Sequence, residues 1–287
     1  MVAFYNRKAL LRVMGQAELP WIGAGLGCYF FNYATRAYRL RMLSGDQVPF
    51  YPAAIKSSCL HGFYSYFLPL RSGDLSLPLL LRCNAQLPLL LGSGILLRAR
   101  LLDFFSLGLL LSAASLLSAP QLQAYVRYLF FFSGIGLLLL PYGILFLLHA
   151  GNNRLQRTLN NRLAGMKVSY FVTREVLVSL LIWFWTGCTI FSVIQSLSIP
   201  LAFMDVWFLA AIQLPLQLFP LQGLANAGNH EAGWLAALSM LGIAPAQGLP
   251  LTMASHVILI SYVAILGSLA LMLRSPEPAE GDVACDI

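Results

Sequence analysis

Two short polar interruptions stand inside long apolar runs, one towards each end of the hydrophobic part of the chain. The first reads Leu68-Pro69-Leu70-Arg71-Ser72-Gly73-Asp74. The second reads Phe219-Pro220-Leu221-Gln222-Gly223 and continues through Gly228 to Asn229-His230-Glu231. Each has an apolar residue, Pro, Leu, a polar side chain and Gly, then an acid that opens another apolar helix. Pro69 and Pro220 lack an amide donor and free a carbonyl in the preceding turn. Gly73, Gly223 and Gly228 admit backbone geometries that other residues resist. In a bilayer such backbone is tolerated only where protein buries it or it lines a wet cavity. The chemistry on offer is ion recognition. Arg71, beside a helix start, could hold a phosphate through its guanidinium fork and the free amides there; snorkelling to a headgroup is the plainer alternative. Asp74 and Glu231 could each cap the helix that follows. They could equally grip a polar head or a proton, because ionisable groups inside membrane segments are expensive and tend to be functional. Arg36 follows Asn32 by four residues and shares its helix face; it reads as a second phosphate contact or as an interfacial anchor.

Other polar residues carry less. His61, His230 and His256 are expected to be hydrogen-bonded structure ahead of proton relays. Asp103, three residues after Arg100, reads as a structural pair. Asp74 with His61 is the one weak acid/base candidate. No GxSxG elbow, Ser/His/Asp arrangement, P-loop or Gly-rich dinucleotide turn is present. No catalytic residue, ATP drive or cofactor is therefore expected. Cys28, Cys59, Cys83, Cys188 and Cys285 are scattered without CxxC or Cys/His spacing, so neither a metal site nor a disulfide framework is expected.

The elements that must position these residues are helices in lipid. The chain is 59% hydrophobic and 10% charged, with a mean hydropathy of +0.74, where an ordinary soluble domain is about a quarter charged. Long runs rich in Leu, Gly and Ala fit helices; short alternating barrel strands do not fit. The expected fold class is all-α: a polytopic integral membrane protein with two inverted broken-helix units, re-entrant segments being one form of these. Residues 1–19 form an interfacial N-terminal segment, 20–273 the transmembrane domain and 274–287 a disordered cytoplasmic tail. Helices are expected at about 20–40, 50–67, 75–97, 101–119, 125–148, 169–197 and 248–273, with a second broken unit over 201–243. Arg98 and Arg100 are read as a charged turn between helices, and 152–167 as a polar loop.

The net charge of +7 comes from basic residues in loops and at helix ends. It speaks for topology and anionic headgroups, with no nucleic acid as partner. Counting positive charges places loop 152–167, the turn at 98–100 and Arg274 in the cytoplasm, so the two broken units enter from opposite sides. The basic N-terminus is left outside by this count, which an upstream helix would resolve.

Arg36-Ala-Tyr-Arg39-Leu-Arg41, Phe67-Leu-Pro-Leu-Arg71-Ser-Gly73-Asp74, Arg100-Leu-Leu-Asp103 and the late Pro220, Gly228 and Glu231 resemble, in this order, the lysylphosphatidylglycerol synthase transmembrane-region family. The likeness runs over about residues 20–273. It implies a flippase-like domain that translocates lipids with polar or charged heads or assists enzymes that modify them. The chain departs from the family pattern at Asp74, where Glu is usual, and at Ala99, where an acid is common. It departs again at Gln222 and Leu224, in a break usually richer in Gly, and at His256, where Arg is often seen.

The expected activity is translocation of a phospholipid or polyprenyl-linked lipid across the cell inner (plasma) membrane by alternating access. Arg36 and Arg71 would hold the phosphate. Asp74 and Glu231 would set the breaks or balance a cationic group. The alternative is an integral membrane enzyme, or an accessory subunit docking a lipid-modifying enzyme, in lipid or lipid-linked glycan modification.

Overall fold

The structure is a computed structural model that describes residues 7–117, 124–150, 172–218 and 223–274. Pro220, loop 152–167 and the tail from 275 onward lie outside the described residues, as does the side chain of Arg71. Every regular element among the described residues is helical. In chain order these are α1 (Arg7–Gly15), α2 (Leu19–Leu43), a wide helical turn (Phe50–Ala54) running into α3 (Ile55–Phe67), α4 (Ser76–Ala85), α5 (Leu89–Leu117), α6 (Ala124–Ala150), α7 (Thr173–Ser196), α8 (Asp205–Leu218), α9 (Asn229–Met240) and α10 (Pro245–Met272). Tight turns of helix at Pro69–Leu75 and Leu224–Asn226 mark the two breaks.

Among the described residues four helices are long and apolar enough to cross a membrane: Leu89–Leu117, Ala124–Ile144, Thr173–Ser196 and Pro245–Met272. The helices flanking the breaks are much shorter, with 13 and 10 residues in α3 and α4 and 14 and 12 in α8 and α9. A span needs about 20 residues, more than any of these four helices has. The two breaks meet: the Pro69–Leu75 turn touches the Leu224–Asn226 turn, which also rests on α3. α1 is amphipathic, and its Leu10, Val13 and Met14 pack on the core that holds Ile194, Trp234 and Ile258.

Two expectations are corrected. The helix expected at 75–97 is two helices, because Pro88 forbids the α conformation before it and Gln86 closes α4 in the left-handed region at φ 54°. The charged turn at 98–100 does not exist, since α5 passes through it unbroken. Arg98 is inside the helix because it meets Glu175 of α7, with Nη2–Oε2 at 2.8 Å. Charge counting thus loses that turn as a cytoplasmic marker.

α6 is peripheral. Only 11% of its membrane window is buried. It packs chiefly on α5, through a seam so close that a Cβ on Gly108 would lie 2.6 Å from the Gly134 carbonyl oxygen. Cys28, Cys59 and Cys188 are free thiols; Cys83 is disulfide-bonded, a pairing its spacing from the other cysteines does not announce.

Candidate functional site

A cavity of about 320 Å³ lies where the two breaks face each other. Its wall draws on α2, α3, the first break, α5, α7, α8, the second break, α9 and α10. Three arginines (Arg36, Arg39, Arg100) and two aspartates (Asp74, Asp103) line it, with Tyr29, Tyr33, Tyr66, Trp183 and Trp234 between them.

The first break is shaped by contact as much as by torsion. Leu70 takes a left-handed φ of 56° directly after Pro69. Gly73 has no such requirement; it is glycine because a Cβ there would lie 2.2 Å from the Tyr64 carbonyl oxygen and 2.4 Å from Ser65 Cα. The break therefore folds back onto the end of α3, which brings Asp74 beside Ser65 and His61. Asp74 Oδ1 accepts from Arg100 Nη2 at 2.5 Å and from Ser65 Oγ at 3.4 Å. His61 Nδ1 stands 3.1 Å from Ser76 Oγ and 3.4 Å from Ser65 Oγ. Asp74 thus anchors the break to α5.

From Arg100 the polar chain continues. Asp103 faces Arg100 at 3.8 Å, but its close partner is Arg39, whose Nη1 donates to it at 2.7 Å. Arg39 also donates to Ser179 Oγ at 3.0 Å. The pair is buried, with 4% of Arg39 and 7% of Asp103 exposed. Sequence reading placed Arg39 among the basic residues at a helix end; the structure puts it in the cavity wall.

Arg36 differs from its neighbours. Its Nε donates to Asn32 Oδ1 at 2.8 Å, and Asn32 is fixed in turn by donating to the Ile182 carbonyl and Thr186 Oγ1, both at 2.8 Å. The guanidinium lies over the Tyr33 ring, 5.8 Å from its centroid. No carboxylate pairs with Arg36 among the described residues. Three guanidinium groups against two carboxylates leave one positive charge in surplus among these lining residues.

The second break is left-handed in three places. Ala225 and Asn226 have φ of 52° and 61°, and Gly228 has 87°. A non-glycine residue in that region costs about 1–3 kcal/mol and persists only where its surroundings hold it. Gly228 needs glycine's freedom, whereas Gly223 needs its smallness, since a Cβ would meet the Ala227 carbonyl oxygen at 2.8 Å. Glu231 caps α9 by accepting from the Gly228 amide at 2.8 Å, and it contacts His256 Nδ1 at 2.5 Å. His256 Nε2 stands 2.8 Å from the Ala225 carbonyl oxygen. Glu231 thus makes the expected cap of α9 together with a contact to His256.

Among the expected site residues, Arg36 and Asp74 meet in the cavity. Glu231 stands one layer behind it, beside the lining residue His230. Arg71 is placed only by its backbone, in the first break. Arg39, Arg100 and the His256–Glu231 contact were not assembled by sequence reasoning. The available signal was an excess of ionisable residues inside apolar helices, each needing a partner.

All-helical, with several apolar spans and with broken helices gathered round a charged, aromatic-walled cavity, the molecule is an integral membrane protein of the polytopic α-helical class. The family model for the lysylphosphatidylglycerol synthase TM region matches residues 1–267, and the chain belongs to that family. No curated protein and no solved structure matches the chain.

Proposed function

We propose that the chain is a lipid flippase or transporter of the cell inner membrane, moving a phospholipid or polyprenyl-linked lipid by its polar head. The observation that supports this most is the Arg36 guanidinium: held by Asn32, facing the cavity, and without a carboxylate of its own among the described residues. A guanidinium in a membrane interior with no carboxylate bonded to it calls for an anion, and a lipid phosphate supplies one with two oxygens for the fork. Asp74 and Arg100 form the facing wall, where a cationic group on the head would meet Asp74. Arg71, three residues earlier in the same break, is proposed as the second phosphate contact. The broken units enter from opposite sides in this reading, and the head exchanges between the faces while its tails stay in lipid.

Purified protein in phosphatidylcholine vesicles carrying a trace of fluorescent phosphatidylglycerol tests the reading. Translocation is expected to expose inner-leaflet label to an added quencher, well above protein-free vesicles. Asp74→Asn removes the partner of Arg100 and is expected to slow the movement. No translocation above protein-free vesicles, with folded protein present, would sink the reading.

A further inference from the structure

His256 sits on α10 with both ring nitrogens against oxygen. Nε2 lies 2.8 Å from the Ala225 carbonyl, which only accepts, so Nε2 carries a proton. Nδ1 is within hydrogen-bonding distance of Glu231 Oε1, and an imidazole lone pair and a carboxylate oxygen, both acceptors, bond only with a proton between them. The pair therefore holds two protons, as imidazolium with carboxylate or as imidazole with carboxylic acid, and is neutral either way. Removing one leaves a nitrogen lone pair facing a carboxylate oxygen, with a net charge of −1, and the contact cannot persist.

What the contact holds is the second break. His256 fixes the Ala225 carbonyl, and Glu231 fixes the Gly228 amide. Between them lie the left-handed Ala225 and Asn226, and Asn226 lines the cavity with its Oδ1 buried and unpartnered. Around His256, α9 presents Glu231 and the His230 ring, stacked at 4.4 Å between centroids. α3 presents Tyr66 at 6.1 Å. Ser255 donates to the Thr252 carbonyl at 2.8 Å, so it accepts from His230 Nε2 at 3.0 Å and fixes that tautomer. Among the described residues no other titratable or charged side chain makes a hydrogen bond, ion pair or ring contact with His256.

We propose that the proton shared by Glu231 and His256 is the coupling ion, moving in the same direction as an anionic, phosphate-bearing lipid head. The inference rests on the transport reading above. With the proton in place the pair is neutral, and the surplus charge of the cavity attracts the head. Loss of the proton leaves a carboxylate charge beside the cavity, offsets that surplus, and frees the 224–228 turn from its clamp. Proton and head then leave together. The chemistry balances as one proton and one anionic charge per cycle, with no covalent change.

The test uses full-length protein in phosphatidylcholine vesicles with fluorescent phosphatidylglycerol as the probe and an imposed pH difference. One proton per head allows about tenfold accumulation of label between leaflets per pH unit, since tenfold corresponds to 1.4 kcal/mol. Accumulation in the direction of the proton gradient is expected for wild type and is expected to vanish in His256→Gln, which retains a donor for Ala225 but holds no exchangeable charge. Should that variant not be recovered folded, Glu231→Gln takes its place. Nitrogen NMR of ¹⁵N-histidine protein, with carbon NMR of the Glu231 carboxyl, gives a readout without transport: a proton between His256 Nδ1 and Glu231 Oε1, lost on raising the pH together with faster amide exchange at 224–228. Translocation that ignores the gradient would overturn the coupling and leave the transport reading standing. So would a Glu231–His256 pair that keeps the same number of protons throughout about pH 5 to 9. Absence of translocation under every gradient would overturn both.

Discussion

Asp103→Ala is expected to cost the protein its stable fold. Arg39 and Asp103 are both buried, and among the described residues Arg39 finds only Asp103 and Ser179 as hydrogen-bond acceptors for its guanidinium. Removing the acid leaves a guanidinium in the interior without its counter-charge, which costs about 3–5 kcal/mol. Total stabilities of about 5–15 kcal/mol leave little after such a loss. The thermal midpoint in detergent, read by loss of the monodisperse peak, should fall sharply. The double variant Arg39→Met with Asp103→Leu removes both charges and should recover most of the loss, because well-packed apolar residues often replace a buried pair without penalty. An unshifted midpoint for Asp103→Ala would show that the pair holds nothing. A double variant no better than the single one would mean that shape, and not charge, is what the site needs.

Arg36→Lys is expected to reduce phosphatidylglycerol translocation by about tenfold or more while leaving the fold intact. A hydrogen bond to a charged group contributes about 1.5–3 kcal/mol, and 1.4 kcal/mol is a factor of ten. Lysine keeps the point charge but cannot donate to Asn32 and present a planar fork at once. Arg36→Met should lose more, since the surplus charge goes with it. Stability should change little in either variant, because no carboxylate lies within ion-pair distance of Arg36 among the described residues. Paired measurement of thermal midpoint and translocation on the same preparations separates the two effects. Wild-type translocation by Arg36→Met would reduce Arg36 to a structural donor for Asn32.

The sequence made the helical class and both breaks legible, because Pro69, Gly73, Gly223 and Gly228 leave local signatures in apolar runs. It misled at Arg98 and Arg100. Two arginines close together in an apolar chain suggest a loop, and only long-range pairing with Glu175 and Asp74 makes them helical. Local pattern cannot report a partner 77 residues away. For the same reason Arg39 was read only as a basic residue at a helix end, and Asp103 was assigned to Arg100 without Arg39. Gly73 was expected for its backbone freedom; in the structure the residue leaves room for the Tyr64 carbonyl, a contact no periodicity reveals. Glu231 was legible as a helix cap, but its second partner, His256, lies 25 residues on and was weighed as an isolated histidine.

The charges threaded through α5 also bear on how the chain is made. Arg98, Arg100 and Asp103 sit within one apolar helix, and each charge near a helix centre opposes insertion by about 2.5–3.5 kcal/mol. Asp74 and Arg39 are already synthesised when α5 leaves the ribosome, so Arg100 and Asp103 can be matched on arrival. Arg98 must wait for Glu175. We therefore expect α5 to linger at the insertion channel, with α6 held on its outer side, until α7 emerges and completes the set. Ribosome-bound chains that end before α7 should keep α5 crosslinked to the channel, and early release would remove this ordering. A pair of side chains that reads in the finished molecule as a bridge between two helices acts, during synthesis, as the signal that releases them together into the bilayer.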